Sequence, residues 1–446
     1  MSPLAPPEPR RKIAVVCSGV SGLVAAHLLH RDHDLTVFEA DARIGGHVHT
    51  VDVAVDGQDY AVDTGFIVYN ERNYPGFTAL LRDLDVATQP TDMTFGVSDP
   101  STGLEFSATN LNTLFAQRRN ALRPSYLRFL TEIVRFNRAA ARLVADEPRW
   151  QGPDRLPAQT GQVDEAGEES IADFVRRHRY SDTFVRQFLV PFGASIWSAD
   201  PETFTRFPVR AYARFMGNHG LLDLTGRPQW RTISGGSRTY VDTLVAPFAD
   251  RIRLASPVQK IVPRPNTDGT HTVELLTERG PELFDEVVVA THSNQALRLL
   301  GDATAAERSV LGAIGYQRNT ATLHTDPHML PTKPRARASW NYALDARQGA
   351  SATVTYWMNR LQSLDCPQPL LVTLNRRDGI ADGHVLADLE YDHPVFDAAA
   401  IDAQRRRHEI QGLRGIWFAG AYWGYGFHED GVQSGREVAA AIGGSR

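Results

Sequence analysis

Two cysteines in 446 residues, Cys17 and Cys366, are too few and too far apart for a disulfide framework or a cysteine metal cluster. That scarcity fits a reducing, cytoplasmic setting. Charge of one sign is also lacking. The balance of 47 Lys and Arg against 52 Asp and Glu leaves a net −5, which gives nucleic acid no basic footprint. No apolar run approaches the length of a membrane span. Residues 1–11 are rich in proline and charge, have no apolar signal core, and read as a disordered tail. No internal repeat is visible. The 15 histidines show neither metal-ligand spacing nor a Ser-His-Asp order, so metalloenzyme and hydrolase readings are poor. A hydrophobic fraction of 42% and a charged fraction of 22% are ordinary for a globular chain, long enough here for two or three domains' worth of core.

The informative residues begin at the start of the chain. Lys12-Ile13-Ala14-Val15-Val16 reads as a strand, and Cys17-Ser18-Gly19-Val20-Ser21-Gly22 as a tight turn opening a helix. A second strand, Leu35-Thr36-Val37-Phe38, ends on Glu39 and Ala40. This is a dinucleotide-binding fingerprint with its first glycine replaced by cysteine. Gly19 lets backbone approach a pyrophosphate, Gly22 lets the helix pack close to the strand, and the helix N-terminus aims its free N–H groups at the phosphates. Glu39, 20 residues after Gly19, is placed to accept hydrogen bonds from a ribose. Arg43-Ile44-Gly45-Gly46-His47 follows directly, a glycine turn with positive charge near the same phosphates. Asp63-Thr64-Gly65-Phe66-Ile67 ends a further strand pattern on another glycine.

Nucleotide-binding patterns recur in three blocks, 12–75, 233–298 and 408–446. The intervening blocks, 76–232 and 299–407, differ in character. The first is mostly helical in pattern, with Phe129, Ile133 and Phe136, then Ile171, Phe174 and Val175, at helix spacing. Residues 151–169 read as a polar surface loop. The second block carries strand-like runs such as Thr353-Val354-Thr355-Tyr356-Trp357. The expected architecture is α/β: a Rossmann-like domain assembled from three segments, with a substrate domain of mixed sheet and helices inserted between them.

These motifs together resemble the flavoprotein superfamily of amine oxidases, protoporphyrinogen oxidases and phytoene-type desaturases. Later segments agree with the resemblance: Ile233-Ser234-Gly235-Gly236-Ser237, Pro257-Val258-Gln259-Lys260-Ile261, Glu286-Val287-Val288-Val289-Ala290-Thr291 and Trp417-Phe418-Ala419-Gly420. So does Glu429-Asp430-Gly431-Val432 at the start of the last helix. The resemblance implies a glutathione-reductase-like FAD domain. It implies FAD contacts from Ser18 to Gly22, from Glu39, Ala40, Arg43, Gly45, Gly46 and His47, and from Thr64, Gly65, Phe66 and Ile67. It adds Val258, Ala290, Gly420, Glu429, Asp430, Gly431 and Val432. Pro228-Gln229-Trp230-Arg231-Thr232 and Ala421-Tyr422-Trp423-Gly424-Tyr425-Gly426-Phe427-His428 are closest to bacterial FAD-binding proteins associated with cyclopropane-synthase-like methyltransferases. That branch implies desaturation or double-bond isomerisation of unsaturated or methyl-branched fatty acyl chains, and functional pairing with a lipid methyltransferase.

Departures carry information. Ala421 and Tyr422 replace the acid that often follows the FAG segment, leaving Glu429 or Asp430 for the ribityl role. The amine-oxidase lysine that holds a water near flavin N5 is expected in the strand reading Tyr316-Gln317-Arg318-Asn319-Thr320-Ala321-Thr322-Leu323, which has none. No second glycine fingerprint offers a seat for NAD(P)H. Tyr425 and His428 are the candidate catalytic residues, as groups able to move a proton beside the flavin. His47 and His49 read as contacts to cofactor or backbone. Two rivals to the lipid reading stand: an oxidase of amines or porphyrinogens, and a flavin-binding partner of a methyltransferase without turnover of its own. Residues 111–145 set Arg118, Arg119, Arg123, Arg128, Arg135, Arg138 and Arg142 against one acid, Glu132, with apolar residues interleaved. This fits either an ordinary helix with a solvated arginine face or a peripheral contact with the inner face of the membrane.

Overall fold

Five parallel strands stand in the order Ile252–Arg253, Asp34–Phe38, Lys12–Val16, Glu286–Val289, Ile416–Phe418 in the computed structural model. The structure describes residues 10–145, 169–222, 227–267, 269, 271–344 and 353–443. Lys12–Val16 has a neighbour on each side, and every residue after Lys12 is buried. A central parallel strand covered on both faces has no polar face to show, hence its unbroken apolar run. Strand order reverses beside it, since the helix Val20–Leu29 leads to Asp34–Phe38 on one side while Glu286–Val289 flanks the other. In open parallel sheets ligands bind past the carboxyl ends of strands at such a reversal. The glycine turn follows Val16 at that end.

The chain divides into two compact units: Met1–Val48, Tyr240–Ile314 and Asp402–Arg446 in the first, His49–Thr239 and Gly315–Ile401 in the second. The first holds the parallel sheet and the antiparallel meander Lys260–Pro265, His271–Thr277, Gly280–Phe284. Its first helix packs on the C-terminal helix His428–Ile442 through glycines. A Cβ on Gly435 would fall 2.4 Å from the Ser21 carbonyl oxygen, and one on Gly431 would fall 2.6 Å from Val20 Cγ1. Only bare backbone permits that approach.

The second unit is built on a seven-stranded mixed sheet: Val385–Val395, Gly315–His324, Leu371–Leu374, Val354–Trp357, Trp340–Ala343, Phe95–Asp99, Leu104–Ser107. Helices from Pro124–Leu143 to Val209–Asn218 bury their aromatics beside it, among them Phe129, Phe136, Phe174, Phe184 and Tyr212. Block 76–232 is therefore not purely helical, because two of its strands complete this sheet.

Residues 49–75, grouped above with the nucleotide-binding segments, fall in the second unit. The hairpin Thr50–Val55/Gln58–Asp63 ends on Asp63, a fully buried carboxylate. Asp63 accepts from Thr50 Oγ1 at 2.6 Å, from the Ser237 N–H at 2.9 Å and Oγ at 2.7 Å, and from Gln362 Nε2 at 3.0 Å. These bonds tie the hairpin to second-unit chain on both sides. Residues 299–314 go the other way, into the first unit. Of the expected tail, residues 1–9 lie outside the described residues. Arg10 and Arg11 do not behave as tail: Arg11 pairs with Glu286 at 3.1 Å, and its carbonyl accepts from the Asp34 N–H at 2.9 Å. Of the expected polar loop, residues 151–168 lie outside the described residues.

Candidate dinucleotide site

The site grows from the turn after Val16. Cys17 adopts φ +88, a conformation that costs an L side chain and suits the glycine it replaces. Its N–H donates to the Phe38 carbonyl at 2.8 Å. Burial, reinforced by the Glu39 carboxylate, pushes the thiol up to about 12, so it stays neutral at physiological pH. Gly19 caps the helix Val20–Leu29 with extended backbone, no side-chain cap and no acid in the first turn, leaving the helix N-terminus for a ligand. A Cβ on Gly19 would meet only Cys17 Sγ, at 3.9 Å. The residue is thus bare where the protein itself does not require it, as an approaching pyrophosphate would. Gly22 is bare for a different reason. A Cβ there would lie 2.2 Å from the Cys17 carbonyl oxygen and 3.0 Å from Ala290 Cβ, so this glycine serves helix-to-strand packing.

Glu39 is buried at the end of its strand. It accepts from the Ser18 N–H at 2.8 Å, from Ser18 Oγ at 2.5 Å and from the Asp41 N–H at 2.9 Å. A carboxylate has about four lone-pair sites, so one remains for a ribose hydroxyl. The carbonyl of Glu39 accepts from the Ser256 N–H at 2.8 Å, which draws the segment leading to Val258 alongside. Val258 is buried and precedes the strand, which begins at Lys260 rather than including Val258 as expected. Ala40 is exposed beside this acid.

The second glycine turn lies directly on the first. The Gly45 N–H donates to the Ser18 carbonyl at 3.0 Å, and a Cβ on Gly46 would sit 3.2 Å from Gly19 Cα. Arg43 is used within its own turn, donating to the carbonyls of Gly46 at 2.8 Å and Val48 at 3.3 Å. The guanidinium therefore fixes the turn that faces Gly19. The His47 ring stands 5.7 Å from that of His292, which burial, with His47 and Arg298 adding to it, pushes down to about 3.

The C-terminal signature returns to the same place. Ala290 extends Glu286–Val289 and donates its N–H to the Val16 carbonyl at 2.9 Å, while the Gly420 N–H donates to Ser434 Oγ at 3.0 Å. Gly431 packs on Val20 and Ser21, so the helices Val20–Leu29 and His428–Ile442 bring their N-termini together, with Val432 buried behind. Asp430 accepts from the N–H groups of Tyr425 at 3.0 Å and Phe427 at 2.9 Å, bracing the loop before the helix. Desolvation, helped by Glu429, pushes its carboxyl up to about 7. Glu429 is buried and accepts from Gln433 Nε2 at 2.6 Å.

The two candidate catalytic side chains differ. His428 Nε2 is 2.7 Å from the Tyr240 hydroxyl, and burial, then His47, pushes it down to about 3. A histidine so neutral and so engaged holds the Tyr240 hydroxyl at the start of the helix. Tyr425 is half-buried in the braced loop.

Thr64, Gly65, Phe66 and Ile67 belong to the second unit. Thr64 Oγ1 donates to the His49 carbonyl at 3.0 Å, Phe66 meets Phe77 edge-on at 5.2 Å, and the Ile67 carbonyl accepts from Thr232 Oγ1 at 2.9 Å. Sequence reasoning missed the partner of this segment. The Tyr391 hydroxyl lies 2.8 Å from Thr64 Oγ1 and 3.1 Å from His49 Nδ1. Tyr391 carries no motif. Only the sheet register reveals it, directly opposite Asn319 on Gly315–His324, the strand without the lysine. Asn319 is buried and bonds His393 Nδ1 at 2.9 Å.

An uncapped helix start, a glycine open to approach, a buried acid with a spare acceptor site and a second helix N-terminus define a dinucleotide-binding protein of the FAD type. The chain belongs to the flavin containing amine oxidoreductases, whose family model matches residues 20–324. It is an FAD-dependent oxidoreductase. Solved structures with the same fold include putrescine oxidase (15% identity, TM-score 0.69, 97% of this chain and 98% of that one). A CLA-producing fatty acid isomerase from P. acnes matches at 16% identity and TM-score 0.67, over 97% of this chain and 99% of that one. Cyclohexylamine oxidase from Brevibacterium oxydans IH-35A gives the same identity, score and coverage. Among the described residues, no helix is long and apolar enough to cross a membrane.

Proposed function

We propose that this oxidoreductase acts on an apolar substrate, an unsaturated or methyl-branched fatty acyl chain, introducing or shifting a double bond. The observation that carries this reading is an apolar face in the second unit. The helical stretch that runs through a single π turn, Val185–Leu189, into Val190–Trp197 leaves Phe188, Phe192 and Ile196 half-exposed at intervals of four residues. Phe188 stacks on Phe192 at 5.8 Å, and Phe192 meets Phe95 edge-on at 5.0 Å. Such a wall holds a hydrocarbon by burial of apolar surface. The isomerase among the similar folds acts on fatty acid, which supports the same reading. So does the lack of lysine on Gly315–His324.

FAD supplies a hydride acceptor at flavin N5. The protein's residues do the remainder. The turns around Gly19 and Gly45 and the N-terminus of Val20–Leu29 would hold the pyrophosphate, Glu39 would take the ribose, the N-terminus of His428–Ile442 would face the ribityl end, and Asp430 keeps the loop carrying Tyr425 in shape. Apolar walls exclude water and orient the chain for transfer. Desaturation also releases a proton to a base, and Tyr425, on the loop that Asp430 braces, is the candidate to take it.

The test is product analysis. Holoprotein is incubated with phospholipids bearing oleoyl or methyl-branched chains, and double-bond number and position are read by mass spectrometry. An added or displaced double bond supports the proposal. Unchanged chains, with peroxide released on adding putrescine or cyclohexylamine, would replace it by an amine oxidase.

A further inference from the structure

We propose that the arginine-rich surface formed by residues 111–142 docks this protein on an anionic lipid bilayer. The inference rests on that surface alone and stands whatever the substrate proves to be. The chain as a whole carries a net charge of −5, yet residues 111–145 contain seven arginines and one acid. The acid offsets two of them at most. Glu132 is buried on the inner side of Pro124–Leu143, where it accepts from the Ser181 N–H at 3.3 Å and pairs with Arg128 at 3.6 Å and Arg135 at 3.9 Å.

The arginines are arranged by helical spacing. Arg128, Arg135, Arg138 and Arg142 are all exposed and follow one another at intervals of seven, three and four residues, along one side of the helix. Arg135 also donates to the carbonyls of His178 and Arg179 at 3.4 Å and lies 4.1 Å from the Tyr180 ring, so it anchors the adjoining segment, which brings exposed Arg179 to the same area. Between helix and segment runs an open groove of about 630 Å³, floored by Leu130, Val134 and Tyr180 and edged by Arg138 and Arg142.

Charge alone would describe any solvated helix. The second observation is where apolar side chains are left in water. Of the eight exposed large hydrophobic residues among those described, three fall within residues 111–127: Leu111 at 74%, Leu122 at 88% and Leu127 at 43% exposed. The two segments that carry them are held together, with Tyr126 Oη donating to the Leu114 carbonyl at 2.6 Å and its ring 5.8 Å from Phe115. Leucines left in water within the same arginine-rich stretch match an interface with acyl chains below and phosphate headgroups at its level. Nucleic acid would use the arginines but leave the leucines without a role.

The test is co-sedimentation of full-length holoprotein with two vesicle preparations, phosphatidylcholine alone and an equimolar mixture with phosphatidylglycerol. Binding to the anionic vesicles only, weakening as salt is raised, is expected. The double change Arg138→Ala/Arg142→Ala lowers the partition coefficient about thirtyfold, and Leu122→Ser lowers it with no change in salt dependence. Neither change touches a buried group, and flavin content confirms that each variant folds. The proposal is overturned by equal binding to both vesicle types, by absence of binding to either, by variants that bind as the parent does, or by duplex DNA competing the protein off the vesicles.

Discussion

Replacing Cys17 by glycine is expected to stabilise the protein and leave FAD binding intact or tighter. Cys17 holds φ +88, fixed by its N–H bond to the Phe38 carbonyl. Left-handed backbone costs an L residue roughly 1–2 kcal/mol. Glycine removes that cost and adds about 0.5–1 kcal/mol of chain entropy lost on folding. The balance is a gain of roughly 0.5–1 kcal/mol. No favourable charge is lost, because a thiol pushed up to about 12 is not ionised at pH 8 and does not compete with a pyrophosphate for amide donors. The assays are urea unfolding of the apoprotein and fluorescence titration with FAD. A matched Cys17→Val change, which puts a β-branched side chain at the same φ, should lower stability and FAD affinity together. An affinity drop of about tenfold or more in Cys17→Gly would refute the reasoning, since it would make the thiol a contributor to the site.

Gly435→Ala places a Cβ 2.4 Å from the Ser21 carbonyl and forces apart the helices Val20–Leu29 and His428–Ile442. It should cost about 1–3 kcal/mol in thermal or urea unfolding and release FAD. Asp430, raised to about 7 from 3.8, holds its proton more tightly in the folded chain than in the unfolded one. Its contribution therefore falls as pH rises from about 4 to about 7. Asp430→Asn keeps an acceptor for the Tyr425 and Phe427 amides and should flatten that part of the stability–pH curve, whereas Asp430→Ala orphans both amides and should destabilise at every pH. Tyr391→Phe breaks the link between Thr64 and His49 and should lower stability by about 0.5–1.5 kcal/mol in urea unfolding with flavin content unchanged. Unchanged stability would show that these bonds contribute nothing net.

Much of the nucleotide half was legible because its signals are contiguous. The turn at Cys17, the acid at Glu39 and the glycine pair at Gly45 each need only their own neighbours to be read. The strand Lys12–Val16 could be read as central because a strand covered on both faces cannot hide its apolar run. Contacts made at long range were not legible. Gly431 and Gly435 look like ordinary helix residues until Val20 and Ser21 lie against them. Nothing in the sequence around His428 points to its partner Tyr240, 188 residues earlier in the chain. The placement of residues 49–75 turned on Asp63, whose partners Ser237 and Gln362 come from distant parts of the second unit. Tyr391 became visible only through the pairing of Val385–Val395 with Gly315–His324. Sequence periodicity reports which face of an element is buried, and it is silent on what buries it.

The account's central claim is that this flavoprotein takes hydride from an acyl chain, and the flavin absorbance measures that most directly. Purified holoprotein is mixed without oxygen with vesicles of unsaturated or methyl-branched phospholipid, and the oxidised flavin band is followed as the chains are recovered. Bleaching of the band, or a displaced double bond with the band unchanged, is the predicted result for desaturation and isomerisation respectively. A band that stays oxidised above chains that stay unaltered, in a sample whose flavin is bleached by an amine, would contradict it.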